Sequence, residues 1–422
     1  MKRHILFSTL VAMTLAGTAV AQDFDTNPVI KYENKEQKVK FTVGARFMAD
    51  AAYYHTDFTP LKSGVAITDS RIRTSMTYDN WYFYADFDFS KGKFSQKNIF
   101  LQYTLKDTDM WNHSFKAGYY NNPTMANNTS RGSLHFISRA ASSNALSAGR
   151  ELGVSYKAYN NNFFFNQGVF AENKYNDQVD GYQGVTFGGR WLWRPVNDED
   201  QTFHVGATFR YARINTGEED GNVLKTNLKF GSTMQTYVDD FHFASAEIPW
   251  AKNVFDAGAE ALYRTPKFFA RGEYMYKHVT KDRDDMTLFM NQLGGSQSWT
   301  TLESWQAGNP LASNSFHGGY VEMGYQIFGN GYKYDNGEAL LKGWDGRSLE
   351  IVARYNYLGM NDIKDGEFYL PGRDQYYPTG EVQDYPAKST SIGGGNMHSV
   401  TLGANYSFNK YAQVLLEYTY NR

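Results

Sequence analysis

Arg71 and Arg73, spaced for one face of a strand, and Lys116, Arg131, Arg139 and Arg150, which share a stretch holding no Asp or Glu between Asp109 and Glu151, are the side chains best placed to do chemistry in this sequence. Guanidinium and ammonium groups in such company attract and orient anions; they do not by themselves break bonds or carry electrons. Sets that would break bonds are missing. Ser, His and Asp occur, but no nucleophile-elbow string does, and the nine His residues include no close pair with metal-ligand spacing. Gly393, Gly394 and Gly395 read as a loop entry with no helix behind them to complete a phosphate cradle. The pairs Asp239-Asp240 and Asp284-Asp285 fall in loop-like stretches, where solvated charge or weak calcium binding is the ordinary reading. No cofactor is implied.

The elements that position these cations are strands. Residues 38–54 place Val39, Phe41, Val43, Ala45, Phe47, Ala49, Ala51 and Tyr53 on one face and Lys40, Thr42, Arg46 and Asp50 on the other. That is a boundary between an apolar medium and water, longer than a soluble sandwich strand usually runs. The pattern recurs in residues 66–78, 81–89, 99–105, 115–120, 151–158, 163–171, 185–194 and 203–211, and then in 255–264, 268–277, 316–327, 349–357, 400–408 and 411–420. Asp79-Asn80 reads as a two-residue hairpin turn, and short connections alternate with long ones, as in an outer-membrane barrel. One connection, residues 328–348, is long where parity calls for a short turn. The runs stop one short of the even number that single-chain bacterial barrels have. The missing strand is expected at residues 224–238, near Val29, or beyond Arg422.

Composition agrees with this class. Lys2, Arg3 and His4, an apolar run over residues 5–20 and the small residues before Gln22 make residues 1–21 a secretory signal peptide, leaving residues 22–422 as a single barrel domain with strands from about residue 38. A mean hydropathy of -0.57 excludes a bundle of membrane helices. Aromatics at 17% suit interfacial girdles, and the absence of Cys removes any disulfide framework. Near-balanced charge leaves no footprint for nucleic acid. The expected fold is all-β: a transmembrane antiparallel barrel of about 16 strands with long extracellular loops.

Four strings go further. Ser70-Arg71-Ile72-Arg73, Gly149-Arg150-Glu151-Leu152-Gly153-Val154, Leu349-Glu350-Ile351-Val352-Ala353-Arg354-Tyr355 and Thr401-Leu402-Gly403-Ala404-Asn405-Tyr406, in this order, give a chain that resembles the phosphate-selective porin O and P family. The resemblance implies a bacterial outer-membrane location, a homotrimer of 16-stranded barrels, and a third loop folded inward. If so, Lys116, Arg131, Arg139 and Arg150 sit near the narrowest part of a water-filled pore, with Arg46, Arg71, Arg73, Arg190 and Arg210 on its wall. Basic and acidic groups on the wall nearly balance, so any anion preference is expected to be modest and set by the loop. Alternatively, Arg131 and Arg139 pin the loop to wall carboxylates such as Asp86 or Asp88. The expected function is passive diffusion of small polar or anionic solutes through a barrel whose partners are outer-membrane lipid and its own copies. A sugar-selective channel using Tyr82, Tyr84, Trp299 and Trp305, or an outer-membrane enzyme, is the alternative.

Overall fold

The computed structural model describes residues 9–15, 29–90, 92–105, 110–124, 126, 130–171, 184–214, 218–219, 222–223, 228–248, 251–281, 312–364, 368–369 and 391–422. The rest of the expected signal peptide, Asp284, Asp285, Trp299 and Trp305 lie outside them. Sixteen antiparallel strands pair in sequence order around a ring. They are β1 (Thr9–Leu15), β2 (Val39–Ala52), β3 (Gly64–Tyr78), β4 (Trp81–Asp88), β5 (Ser95–Thr104), β6 (Asn112–Asn121), β7 (Arg150–Tyr159) and β8 (Phe163–Ala171). There follow β9 (Val185–Asn197), β10 (Thr202–Arg213), β11 (Ala251–Arg264), β12 (Phe268–Lys281), β13 (Asn314–Phe328), β14 (Ser348–Asp362), β15 (Ser391–Ser407) and β16 (Gln413–Asn421).

Side-chain alternation explains why these strands form a wall. Phe41, Phe47, Ile72, Met76, Phe83, Leu101, Phe115, Val154 and Leu402 are exposed, while Arg46, Asp50, Asp69, Arg73, Glu151, Arg190 and Glu322 are buried. A soluble domain sorts these types the other way. The outer face therefore suits acyl chains and the inner face water or polar partners. The Asp79-Asn80 turn is present, with Asp79 at φ 50° and Tyr78 opposite Trp81, as a tight two-residue hairpin requires.

Two places depart from the sequence reading. Of the run expected at residues 224–238, the described residues 228–238 add no strand to the wall; Leu228–Ser232 pairs instead with Ala244–Ile248 in a hairpin of its own. Its Phe230 and Ile248 pack with Ala141, Ala145, Val279, Phe316 and Met360 in an apolar core. The ring is joined instead by β1, which pairs with β16 on one side and with residues 47–52 of β2 on the other. The short strand Val29–Asn34 lies along the same edge of β2, opposite residues 39–44, so the expectation of a strand near Val29 is met over half the height of the wall.

Candidate functional site

Inside the ring, the segment between β6 and β7 folds away from the outer end and is held by the wall at many points. Its short helix α1 (Ala141–Leu146) is buried among aliphatic side chains, and its neighbours Leu134, Phe136 and Ile137 are equally enclosed. The carboxylates that secure it are spread around the ring. Glu273 accepts from the Ala126 amide at 3.0 Å, Glu417 from the Ile137 amide at 2.6 Å, and Glu151 from the Asn122 side chain at 2.5 Å. Asn356 accepts from the Ser142 amide at 2.9 Å, and Arg354 donates to the Ser138 carbonyl at 2.8 Å. His135 Nδ1 lies 3.0 Å from Glu350, whose other oxygen accepts from the Tyr332 hydroxyl at 2.7 Å. Every buried polar group needs such a partner, and so many fixed points make this loop a constriction rather than a waving strap.

The over-long connection between β13 and β14 enters from the opposite end. Tyr332, Leu341 and Trp344 are buried, and the His135 and Trp344 rings meet at 5.0 Å, so the two inserts touch within the lumen. Arg190 donates to the Glu338 and Ala339 carbonyls at 3.0 and 2.9 Å, and Arg194 to the Asn336 carbonyl at 2.8 Å. Lys157 lies 2.6 Å from Glu338. Burial alone would raise the Glu338 carboxyl, but the ammonium groups of Lys157 and Lys116 hold it below the usual carboxylate range.

With much of the lumen filled, an open cavity of about 380 Å³ remains beside β3–β7. Arg71, Lys97, Lys116, Arg131, Arg139 and Arg150 line it against Asp69, Asp86, Asp88 and Glu338. Of three larger hollows, two, of about 660 and 710 Å³, are grooves among outward-facing side chains such as Leu101 and Phe115, or Phe203 and Val321, and belong to the lipid face, and one, of about 600 Å³, lies between the connection after β2, residues 234–236 and the end of β16.

The profile of a family described as phosphate-selective porin O and P matches residues 41–422. The chain belongs to the phosphate-selective porin O and P family. It is therefore a channel of the bacterial outer membrane through which solutes diffuse. No curated protein sequence matches the chain. Among solved structures it is similar to the outer-membrane OmpT of Vibrio cholerae, at 12% identity over 93% of this chain and 89% of that one, with a TM-score of 0.49. It is also similar to Salmonella typhi OmpF in complex with daunomycin, at 11% identity over 99% and 97% with a TM-score of 0.36. A third, Acinetobacter baumannii OccAB4, gives 9% identity over 99% and 97% with a TM-score of 0.35. Likenesses at this level add nothing to the family match.

In this porin the cations singled out by sequence divide into two groups. Arg46 is locked into Asp69 by two bonds of 3.0 and 2.6 Å and also donates to Ser130 Oγ at 2.7 Å, so it ties the inward loop to the wall. Arg190 makes a bidentate pair with Glu260 at 2.9 and 2.7 Å, and Arg210 bridges Glu151 and Asp256 at 2.7 and 3.0 Å. Arg71 is wedged between Asp69, at 3.0 Å, and Asp86, at 2.9 Å. Arg131 pairs with Asp50 and stacks on Tyr237 at 3.8 Å, so it does pin the loop, but to a carboxylate other than Asp86 or Asp88.

The second group is differently placed. Arg150 donates to Asn98 at 2.9 Å, and Lys116 lies over the Phe100 and Tyr120 rings; among the described residues neither has a carboxylate within ion-pair distance. Buried Arg73 likewise has none. Arg139 faces the same cavity, and burial lowers its guanidinium from the ordinary value without removing the charge. Sequence reasoning missed the roles of Asp50, Tyr237 and Glu338, whose partners are distant in the chain; the broken turn parity at residues 328–348 was the visible trace of the last.

Proposed function

We propose that the channel prefers anions among the small polar solutes that diffuse through it. One observation carries the reading. Every carboxylate lining the cavity is matched to a cation: Asp69 by Arg46 and Arg71, Asp86 by Arg71, Asp88 by Lys97, and Glu338 by Lys157. Lys116 and Arg150 are not so matched. A low-dielectric wall focuses the field of such uncompensated charges into the water beside them, which raises the local anion concentration and excludes cations. The preference is a bias on passive flow, and no catalytic step is part of it.

The test is the reversal potential across a planar bilayer separating unequal KCl concentrations. Anion preference is expected from the unmodified channel, and K116Q with R150Q should move the potential toward the neutral value. A cation-selective potential in the unmodified protein contradicts the reading. Millimolar phosphate added to the chloride solution separates a binding station from generic bias, since only a station produces block. Further expectations travel with this function. The exported chain starts near Gln22 and assembles as a homotrimer; removing the leader takes β1 from the ring, so residues 47–52 lose the partner they have here while Val29–Asn34 keeps its place.

A further inference from the structure

The wall that carries Lys116 differs from its neighbours β2 and β3. Facing inward on β2 and β3 are hydrogen-bonding groups such as Thr42, Arg46 and Ser75, whereas β4, β5 and β6 turn Tyr84, Phe100 and Tyr120 into the cavity. The Tyr84 and Phe100 rings stack 5.3 Å apart at 23°, and Phe100 meets Tyr120 edge-on at 5.9 Å. The backbone makes room for this surface. Gly118 sits at φ +141°, where an added Cβ would lie 2.8 Å from Phe100 Cβ, and a Cβ on Gly153 would lie 2.5 Å from the Phe170 ring that backs Tyr120. Lys116 Nζ stands 4.6 Å over Phe100 and 5.3 Å over Tyr120. One cation and one apolar strip are thus presented together.

Resting on the anion reading, we propose that the conduit is fitted to small organic anions, in which a phosphate or carboxylate is joined to a sugar or aromatic ring, in preference to bare phosphate. The oxyanion meets Lys116 and Arg150, and the flat face of the ring lies along Tyr84 and Phe100. Tyr84, Phe100 and Tyr120 are mostly buried and reach the cavity by part of each ring; a solute that covers this apolar margin releases the water on it, a gain open only to a solute with an apolar face to offer. The cavity of about 380 Å³ is large enough for such a molecule, being of the size that usually holds drug-like ligands.

The experiment measures block of chloride current through the unmodified channel in planar bilayers by glucose 6-phosphate, inorganic phosphate and glucose. Glucose 6-phosphate is expected to halve the current at a concentration about ten-fold below that of phosphate, a difference of about 1.4 kcal/mol, with glucose weaker than either. In F100L and Y84L its block should fall to the phosphate level. Equal block by glucose 6-phosphate and phosphate in a channel that is still anion-selective overturns this proposal alone, as does block by glucose as strong as that by its phosphate. A cation-selective reversal potential overturns the anion reading beneath it. The comparison of three probes on the unmodified protein stands even where a variant fails to fold.

Discussion

Arg46 and Lys116 both point a positive charge into the barrel, yet the first is spent on Asp69 and Ser130 and the second has aromatic rings for neighbours. The difference leads to opposite expectations. R46A removes one partner of a buried pair and leaves Asp69 inside the wall, so thermal unfolding in detergent should show a loss of about 3–5 kcal/mol, reduced by whatever Arg71 retains. K116Q removes a charge that makes no ion pair and acts on Glu338 only at a distance, beside the direct Lys157 contact; near neutral pH melting should stay close to that of the parent while the reversal potential moves. At this scale the sequence announced residue types and faces, because alternation fixes which side of a strand a side chain takes. It did not announce which cations were neutralised. Asp50 meets Arg131 across 81 positions and Glu338 meets Lys157 across 181, distances at which a sequence pattern carries no pairing signal.

The inward loop and the connection between β13 and β14 form a plug anchored from both sides, and their stiffness decides the size of the passage. Arg190, with its two bonds to Glu260 and two to the connection's carbonyls, is the principal fixed point. R190A should free the connection and be read as larger or noisier single-channel conductance. The Glu338 carboxyl is held below its ordinary value, so its attachment to Lys157 is complete above the usual carboxylate range, near pH 5, and is lost as pH falls through the lowered value. Conductance noise should therefore rise only in acid below the ordinary carboxylate range, and E338Q should show it at neutral pH. Equal noise in E338Q and parent at all pH values would remove Glu338 from this role. The wall strands were legible because each repeats the same two-residue period. The plug was not, since irregular backbone packed on side chains has no period to read.

A sheet that is greasy outside and charged inside leaves little freedom about where the molecule resides, and both signs were visible in the alternating pattern of β2 alone. Where sequence fell short was the last strand: the run at residues 224–238 had the apolar content of a wall strand, but among its described residues Leu228, Phe230 and Met234 find a core beside α1 rather than lipid. The cavity beside β3–β7 is one-sided and rich in cations, and the proposed preference turns on the sign of the ions that the channel favours. A reversal potential recorded in a KCl gradient reads that sign directly. A potential of anion-selective sign that shrinks in K116Q with R150Q is expected; a cation-selective potential, or one unmoved by those two substitutions, would contradict the anion preference.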